Sequence, residues 1–173
     1  MELISGVDHF RTVVVDGICA AKVSIDVMTA DFKAMLVPDG RRQARSIVEH
    51  FRRLADRGVE IRLLHAGVPS SAALRELKRQ LPERLTIRRC PRLHSKAVII
   101  DASRLYLGSA NLTGAGLGAK ADGRRNFELG VLTRQADLID KVSHEFNLLW
   151  EGRACNGCRR RDVCPVPLEE PSL

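Results

Sequence analysis

The segment HSKAVIIDASRLYLGSANLTGAG, residues 94–116, gathers an imidazole, an amine, a hydroxyl and an amide within a short span. His94 and Lys96 are two residues apart, and residues at that spacing face the same side of a β-strand. Ser109 and Asn111 share a side in the same way if the chain stays extended between them. An imidazole can attack phosphorus, an ammonium can neutralise phosphate oxygens, and hydroxyl and amide groups can donate hydrogen bonds to those oxygens. The pattern therefore predicts a site for a phosphate ester.

The rest of the sequence predicts an α/β fold, with a mixed β-sheet flanked by helices. Of the 173 residues, 45% are apolar, which is enough for a hydrophobic core. Alternating or β-branched segments predict strands at 22–28, 59–65, 84–90, 94–101, 104–109 and 127–133. Helical spacing predicts helices at 7–20, 42–58, 70–81 and 135–150, with a loop at 31–42. Strands that alternate with helices and then adjoin one another indicate a layered domain.

The polar residues of the opening segment form the motif HxKx4Dx6GSxN, whose members are His94, Lys96, Asp101, Gly108, Ser109 and Asn111. This motif resembles the signature of the phospholipase D superfamily, with no departure in spacing. The resemblance extends from about Val23 to Trp150. It includes the segments 57–64, 110–116 and 126–131 and a final helix with Phe146 and Trp150. The resemblance implies a phospholipase D-like layered fold.

Members of that superfamily cleave or transfer phosphodiesters through a covalent phosphohistidine, without a catalytic metal. Residues 94–116 contain no pair of carboxylates for a divalent metal, which agrees with that chemistry. The resemblance implies that His94 is the nucleophile. It also implies that Lys96 and Asn111 bind the phosphate, with help from Ser109.

Two acidic residues have separate roles in this interpretation. Glu128 matches the superfamily's acidic residue after the second strand, which orients the histidine. The alternative for Glu128 is a place on a solvated strand face. Asp101 has the opposite strand parity to His94, and we interpret it as a structural residue.

The number of motifs predicts the assembly. The chemistry needs two histidines, one neutral for attack and one protonated to assist the leaving group. The other histidines are His9, His50, His65 and His144, and none has a lysine two residues on. We therefore expect a homodimer that places two copies of His94 across its axis. A single motif in a short chain also resembles the small bacterial nucleases of the superfamily.

The charge of the chain indicates a polyanionic partner. The net charge is +7 and the isoelectric point is about 9.6, which favours nucleic acid or an anionic lipid surface. We expect a nucleic-acid phosphodiesterase, a DNA endonuclease in the first place, with DNA favoured over RNA. The alternatives are a lipid phosphodiesterase of the phospholipase D or cardiolipin type and a non-catalytic nucleic-acid-binding module. The expected basic rim consists of Arg41, Arg42, Arg45, Arg52, Arg53, Arg88, Arg89 and Arg92.

The sequence gives no sign of membrane insertion or export. Its longest apolar runs are short and interrupted, and the N-terminus lacks a basic region followed by an apolar core. The five cysteines are an odd number, which argues against a disulfide framework. We therefore expect a cytoplasmic protein.

The C-terminal segment CNGCRRRDVCP indicates a metal centre, because its spacing lets the thiolates of Cys155, Cys158 and Cys164 converge. A compact triple followed by proline is typical of iron–sulfur ligation. It resembles the triple in nucleases and helicases that close their C-terminus with a four-iron cluster. We expect a structural metal centre in which a [4Fe–4S] cluster is favoured over zinc; three free or oxidised surface thiols are the alternative. The centre lies in a cysteine-rich tail over 154–173 that follows a catalytic domain over 1–153 and is loose from Pro165.

Three cysteines cannot complete a four-coordinate site, so an upstream residue must join them. The candidates are Cys90, Cys19 and His144. A helix over 135–150 runs back about 22 Å at about 1.5 Å per residue. It should bring the tail to the side of the sheet where His94 begins its strand. This geometry favours Cys90 as the fourth ligand.

Overall fold

Seven strands form one mixed sheet, and two more pair with each other, in the part of the chain that the computed structural model describes: residues 1–38, 43–79, 81–160 and 163–164. In chain order the strands are β1 (Glu2–Ser5), β2 (Ser24–Thr29), β3 (Leu36–Pro38), β4 (Ala44–Ser46), β5 (Glu60–His65), β6 (Leu85–Arg89), β7 (Ala97–Ile100), β8 (Arg104–Gly108) and β9 (Leu129–Thr133). The sheet order is β1-β9-β8-β7-β2-β5-β6. Strands β2, β5 and β6 run parallel, and the other neighbours run antiparallel.

Three α-helices cover the sheet within the described residues: α1 (Ile47–Asp56), α2 (Ser71–Arg79) and α3 (Ala136–Trp150). Helices α1 and α2 pack on one face, in a core that contains Phe51 and Leu77. Helix α3 packs on the other face, where Ile139 and Phe146 contact the core around Leu64. Side chains of each strand alternate between these two cores. The predicted mixed sheet flanked by helices is thus confirmed.

Two arginines fix the C-terminal half of α3 against the parallel strands. Arg62 donates two hydrogen bonds to Asp26, at 2.6 and 2.7 Å, and its guanidinium lies 4.7 Å from the centre of the Phe146 ring. Arg88 donates to the backbone carbonyl of Trp150 at 2.6 Å and lies 4.7 Å from the centre of that residue's ring. The end of α3 is therefore held beside the end of β6, which determines where the following tail begins.

The prediction of one continuous helix over 7–20 is wrong, because this segment is not a regular α-helix. The segment forms a π-helical turn at Phe10–Val15 and a 3-10 turn at Ile18–Ala20. Gly17 lies between them with non-helical dihedrals, φ −105° and ψ −90°. A glycine costs a helix about 1 kcal/mol relative to alanine, so the break falls at the weakest helix former.

The loop predicted over 31–42 is also partly wrong, because it contains β3; residues 39–42 lie outside the described residues. The following helix begins at Ile47, later than predicted, because β4 precedes it. The Ser46 hydroxyl caps that helix by accepting a hydrogen bond from the backbone N–H of Glu49 at 3.2 Å.

The tail predicted to be loose from Pro165 lies outside the described residues. Among the described helices, none combines the length and the apolar character needed to cross a bilayer.

Candidate active site

The predicted catalytic residues lie together at one end of strands β7, β8 and β9. We call this set of strand ends the polar edge. The backbone N–H of Gly108, at the end of β8, donates to the carbonyl of Lys96 at 3.1 Å, just before β7 begins. The backbone N–H of Ser109 donates to the carbonyl of Leu129, at the start of β9, at 3.0 Å. The residues before β7, after β8 and before β9 therefore share this edge.

His94 and Lys96 approach each other, although not on a strand. The strand predicted from residue 94 begins only at Ala97, so the expected parity argument is wrong for this pair. The Lys96 side chain instead folds back, and its Nζ lies 3.3 Å from both ring nitrogens of His94 and donates to the His94 carbonyl at 2.7 Å. His94 is exposed, whereas Lys96 is only 9% exposed. The pair offers an accessible imidazole beside a nearly buried cation.

Asn111 is held in one orientation by the end of β2. Its Oδ1 accepts hydrogen bonds from the backbone N–H groups of Ala30 at 3.0 Å and Asp31 at 3.1 Å. The Thr29 hydroxyl donates to the carbonyl of Asp31 at 2.7 Å and accepts from the backbone N–H of Leu112 at 2.9 Å. These contacts define which end of the amide carries the oxygen, so its NH₂ group is left to donate. Sequence reasoning missed Thr29, because the contact joins residues far apart in the chain.

Ser109 and Glu128 form a second polar pair at the same edge. The Ser109 hydroxyl donates to Glu128, and it accepts from the backbone N–H of Leu129 at 3.1 Å. Asn126 donates to the other oxygen of Glu128 at 3.1 Å. Among the hydrogen bonds of the described residues, Glu128 makes none to His94 of its own chain. Asn126 was not predicted, although its spacing of two residues from Glu128 is a signal that could have found it.

A buried aromatic layer supports this edge. Tyr106 is 1% exposed, its hydroxyl accepts from the backbone N–H of Ala110 at 3.2 Å, and burial raises its pKa to about 12. Gly108 and Gly130 lie so close to the Tyr106 ring and hydroxyl that a side chain on either would overlap them. His9 meets the ring edge-on at 5.5 Å, and burial lowers its pKa. The layer keeps the strand ends close together beneath the polar groups.

Asp101 lies at the far end of β7 from His94. Its carboxylate accepts hydrogen bonds from three consecutive backbone N–H groups at the start of β2, at distances of 2.7 to 3.1 Å; their donors are Lys22, Val23 and Ser24. This position supports the interpretation of Asp101 as a structural residue that joins the turn after β7 to β2.

Much of the expected basic rim is engaged within the fold. Arg52 and Arg53 both bind Glu49, and Arg89 donates to the backbone carbonyl of Ala66 at 3.0 Å. Arg88 holds the end of α3, as described above, and the first two arginines of the predicted rim lie outside the described residues. Arg92 is exposed and lies two residues before the candidate nucleophile His94 in the sequence.

The four cysteines expected to bind a metal line one cavity of about 210 Å³ that also reaches His94; they are Cys90, Cys155, Cys158 and Cys164. Within the described part of the chain, no three His, Cys, Asp or Glu side chains stand close enough to hold a single metal ion. The three tail cysteines nevertheless lie around the same cavity as Cys90, the residue favoured as the fourth ligand.

The other two candidates for the fourth ligand lie elsewhere. Cys19 packs against the core under α1, with its Sγ 3.8 Å from Nδ1 of His50, and burial raises its pKa to about 11. His144 is exposed on α3 and does not line the cavity.

A family model described as "Cardiolipin synthase, PLD-like domain" matches residues 14–150. This range contains the whole polar edge described above. No curated protein matches the chain.

The solved structures that resemble the fold include the following three. A phospholipase D family member, Nuc from Salmonella typhimurium, is 21% identical with a TM-score of 0.64, and the match covers 87% of this chain and 94% of that one. NucT from Helicobacter pylori is 17% identical with a TM-score of 0.64 and the same coverage. TrmBL2, an archaeal chromatin protein with a novel mode of DNA binding, is 16% identical with a TM-score of 0.54, over 87% of this chain and 51% of its own.

Proposed function

The chain belongs to the family of PLD-like domains, and on that premise we propose that it is a metal-independent phosphodiesterase that cleaves nucleic acid. The observation that carries this proposal is the polar edge itself. An exposed His94 stands beside the Lys96 ammonium, and the nearby Asn111 amide is oriented to donate. A nucleophile, a cation and a fixed hydrogen-bond donor are the groups that phosphoryl transfer requires.

In the proposed reaction, a ring nitrogen of His94 attacks the phosphorus of the diester. A P–N bond forms while the P–O bond to the leaving group breaks, and a second, protonated imidazole gives its proton to the leaving oxygen. Water then attacks the phosphohistidine, the second imidazole accepts the water's proton, and the P–N bond breaks. Lys96 and Asn111 stabilise the charge on the non-bridging oxygens in both steps. The histidine is regenerated, and the net reaction consumes one water.

We assign the second imidazole to the same residue of a partner in a homodimer. An uncovered apolar face next to the site supports this assignment. Leu3, Leu107 and Leu129 lie on that face of β1, β8 and β9, and they are 72%, 40% and 60% exposed. Phe127 beside them is fully exposed. A second copy of the chain seated here would bury these side chains and bring its own motif to the edge.

The substrate class follows from charge and from similarity. A net charge of +7 favours a polyanion, and the fold resembles that of a chromatin protein whose mode of DNA binding is known. DNA is therefore the first substrate to test, and RNA the second. The name of the matching family model favours one further candidate, a lipid phosphodiester such as cardiolipin. Both classes present the same chemical bond to His94.

The deciding experiment measures cleavage in excess EDTA. Supercoiled plasmid, single-stranded DNA, RNA and cardiolipin vesicles are each incubated with wild type, His94→Ala and His144→Ala. We expect DNA products that EDTA does not suppress, that disappear with His94→Ala and that persist with His144→Ala, because His144 is exposed on α3 outside the site. Full activity of His94→Ala or a strict Mg²⁺ requirement would refute the mechanism. Products from cardiolipin alone would show that the substrate is a lipid and not a nucleic acid.

A further inference from the structure

The cavity beside His94 joins two distant parts of the chain through cysteines. Cys90 directly follows β6, and its backbone N–H continues the pairing with β5 by donating to the carbonyl of His65 at 2.8 Å. The other three cysteines of the cavity lie in the tail after α3. The arginine that binds the end of α3 brings this tail back to β6. The packing of α3 therefore brings the tail next to Cys90.

The tail folds into a tight turn that suits metal ligation. The backbone N–H of Cys158 donates to the carbonyl of Cys155 at 3.1 Å, which closes the CxxC segment on itself. Gly157 within the turn has φ +71°, a left-handed conformation that residues with a side chain rarely adopt. Both cysteines consequently line the same cavity, and the Sγ of Cys164 lies 4.0 Å from the carbonyl of Arg89, the residue before Cys90.

The size of the cavity favours a polynuclear cluster over a single metal ion. A tetrahedral zinc site with Zn–S bonds of about 2.3 Å requires its sulfurs to stand about 3.8 Å apart. Among the described residues, no group of three His, Cys, Asp or Glu side chains is placed to hold a single metal ion, and the four cysteines line a space of about 210 Å³. A polynuclear cluster places iron and sulfide between its thiolates, so its four ligands encircle a larger body.

The charge around the cavity also suits an anionic cluster. Arg92 and Arg160 both line the cavity that holds the four cysteines. Cationic donors near coordinated sulfur stabilise the negative charge of thiolates and tune such a centre. The candidate ligands are all cysteines, whose thiolate form iron–sulfur clusters prefer.

We propose that Cys90, Cys155, Cys158 and Cys164 ligate a structural [4Fe–4S] cluster. The cluster fastens the tail to the segment that runs from Cys90 to His94, and so it holds the entrance of the active-site edge. It takes no part in phosphoryl transfer, and the proposal stands independently of the nuclease function.

The test begins with the full chain purified without oxygen. We expect about four iron atoms and four acid-labile sulfides per chain, a broad visible absorption that dithionite bleaches, and no stoichiometric zinc. Cys90→Ser and Cys158→Ser should each lose most of the iron. Cys19→Ser is the matched control and should keep it, because Cys19 lies outside the cavity. His94→Ala should keep the cluster while losing cleavage, which separates this proposal from the proposed function.

Wild-type protein provides a measurement that needs no folded variant. Oxidation in the presence of a chelator should bleach the protein and lower its melting temperature, and iron with sulfide should restore both the colour and the melting temperature. One zinc per chain in place of iron overturns the proposal. So does anaerobic protein that contains neither metal and cannot be reconstituted, or Cys90→Ser protein that keeps its full iron content.

Discussion

The side-chain oxygen of Asn111 accepts the backbone N–H of Ala30 at 3.0 Å, across a separation of 81 residues. This bond joins the end of β2 to the loop after β8. It assigns the two ends of the amide, since only the oxygen can accept from a backbone donor. The NH₂ group of Asn111 therefore remains available as a hydrogen-bond donor.

Asn111→Asp tests that assignment. The substitution keeps an oxygen for Ala30 but replaces the donor with a second oxygen that repels a phosphate. Loss of one such donor costs about a hundredfold or more in turnover. We expect that loss in initial-rate measurements, with an unfolding midpoint in urea close to that of wild type. Comparable rates in the two proteins would show that the amide does not contact the phosphate.

Thr29→Val provides the companion measurement for positioning. The hydroxyl bonds the carbonyl of Asp31 and the backbone N–H of Leu112, so it shapes the loop around Asn111 without donating to the phosphate. We expect a smaller loss of turnover than with Asn111→Asp, together with a loss of stability of about 1–3 kcal/mol from unpaired buried groups.

Asp101→Ala should lower stability without changing the chemistry. The carboxylate accepts from three backbone N–H groups at the start of β2, and hydrogen bonds to charged groups contribute about 1.5–3 kcal/mol. We expect the free energy of unfolding to fall by about 2 kcal/mol in urea titrations. Asp101→Asn keeps one acceptor and tolerates the residue's φ of +52°, so it should lose about half as much. A specific activity per folded molecule that drops with Asp101→Ala would assign the residue to the site instead.

Nucleic-acid binding should weaken steeply with salt. Each phosphate contact contributes a slope of about 0.9 between log Kd and log salt concentration on duplex DNA. Arg92→Ala should make that slope shallower by about one contact, because Arg92 is exposed near the site. Arg53→Ala is the control and should leave the slope unchanged, since Arg53 already pairs with Glu49. Binding that is flat in salt would remove nucleic acid as the leading substrate.

The candidate site could be proposed from the sequence because its residues are largely local. His94, Lys96, Ser109 and Asn111 fall within one segment, and their spacing alone suggests phosphate chemistry. The partners that orient them could not be predicted in the same way. Thr29 meets the loop after β8 from 82 residues away, and no periodicity in the sequence reports such a pairing.

The same holds for the sheet: strands with a local sequence signal could be predicted, whereas strands that depend on distant pairing could not. Its central strands are marked by β-branched residues, and they were predicted to within a few residues. Strand β1 was not predicted, because its four residues alternate only briefly and pair at the edge with β9 from the far end of the domain. The sequence predicts a loop in place of strand β3 because that segment ends in Pro38, and sheets tolerate proline mainly at edges.

The buried histidines predict loss of stability in acid. Burial is the main cause that lowers the pKa of both His9 and His65; a hydrogen bond to a backbone carbonyl opposes it in each case. The unfolded chain, with pKa values of about 6.5, therefore binds more protons than the folded chain as pH falls below that value. Their contribution to stability is full above about pH 6.5 and is lost below it.

We therefore expect a lower urea midpoint at pH 5 than at pH 7.5. His65→Gln should reduce the difference between the two midpoints, whereas His144→Gln should not, because His144 is exposed. An equal pH dependence in wild type and His65→Gln would show that carboxylates, rather than this buried imidazole, cause the acid sensitivity.

The proposed dimer makes a prediction about mixed assemblies. If one copy of His94 attacks and the other assists the leaving group, a dimer of one wild-type and one His94→Ala chain lacks one of the two roles. Such a mixed dimer should have far less than half of the wild-type activity. Differently tagged chains, co-expressed and purified through both tags, allow the measurement. Half of the wild-type rate would mean that each chain works by itself.

The apolar face gives an independent test of the same assembly. Leu3→Glu places a charge on β1, at the edge of the sheet and outside the catalytic residues. Burying an unpaired carboxylate in an interface is unfavourable, so we expect light scattering to show a monomer that is folded but inactive. Leu36→Glu makes the same change at an exposed leucine of β3, outside that face, and should leave the dimer and its activity intact. Wild-type protein that is active as a monomer, or a Leu3→Glu protein that remains an active dimer, would exclude this face as the interface.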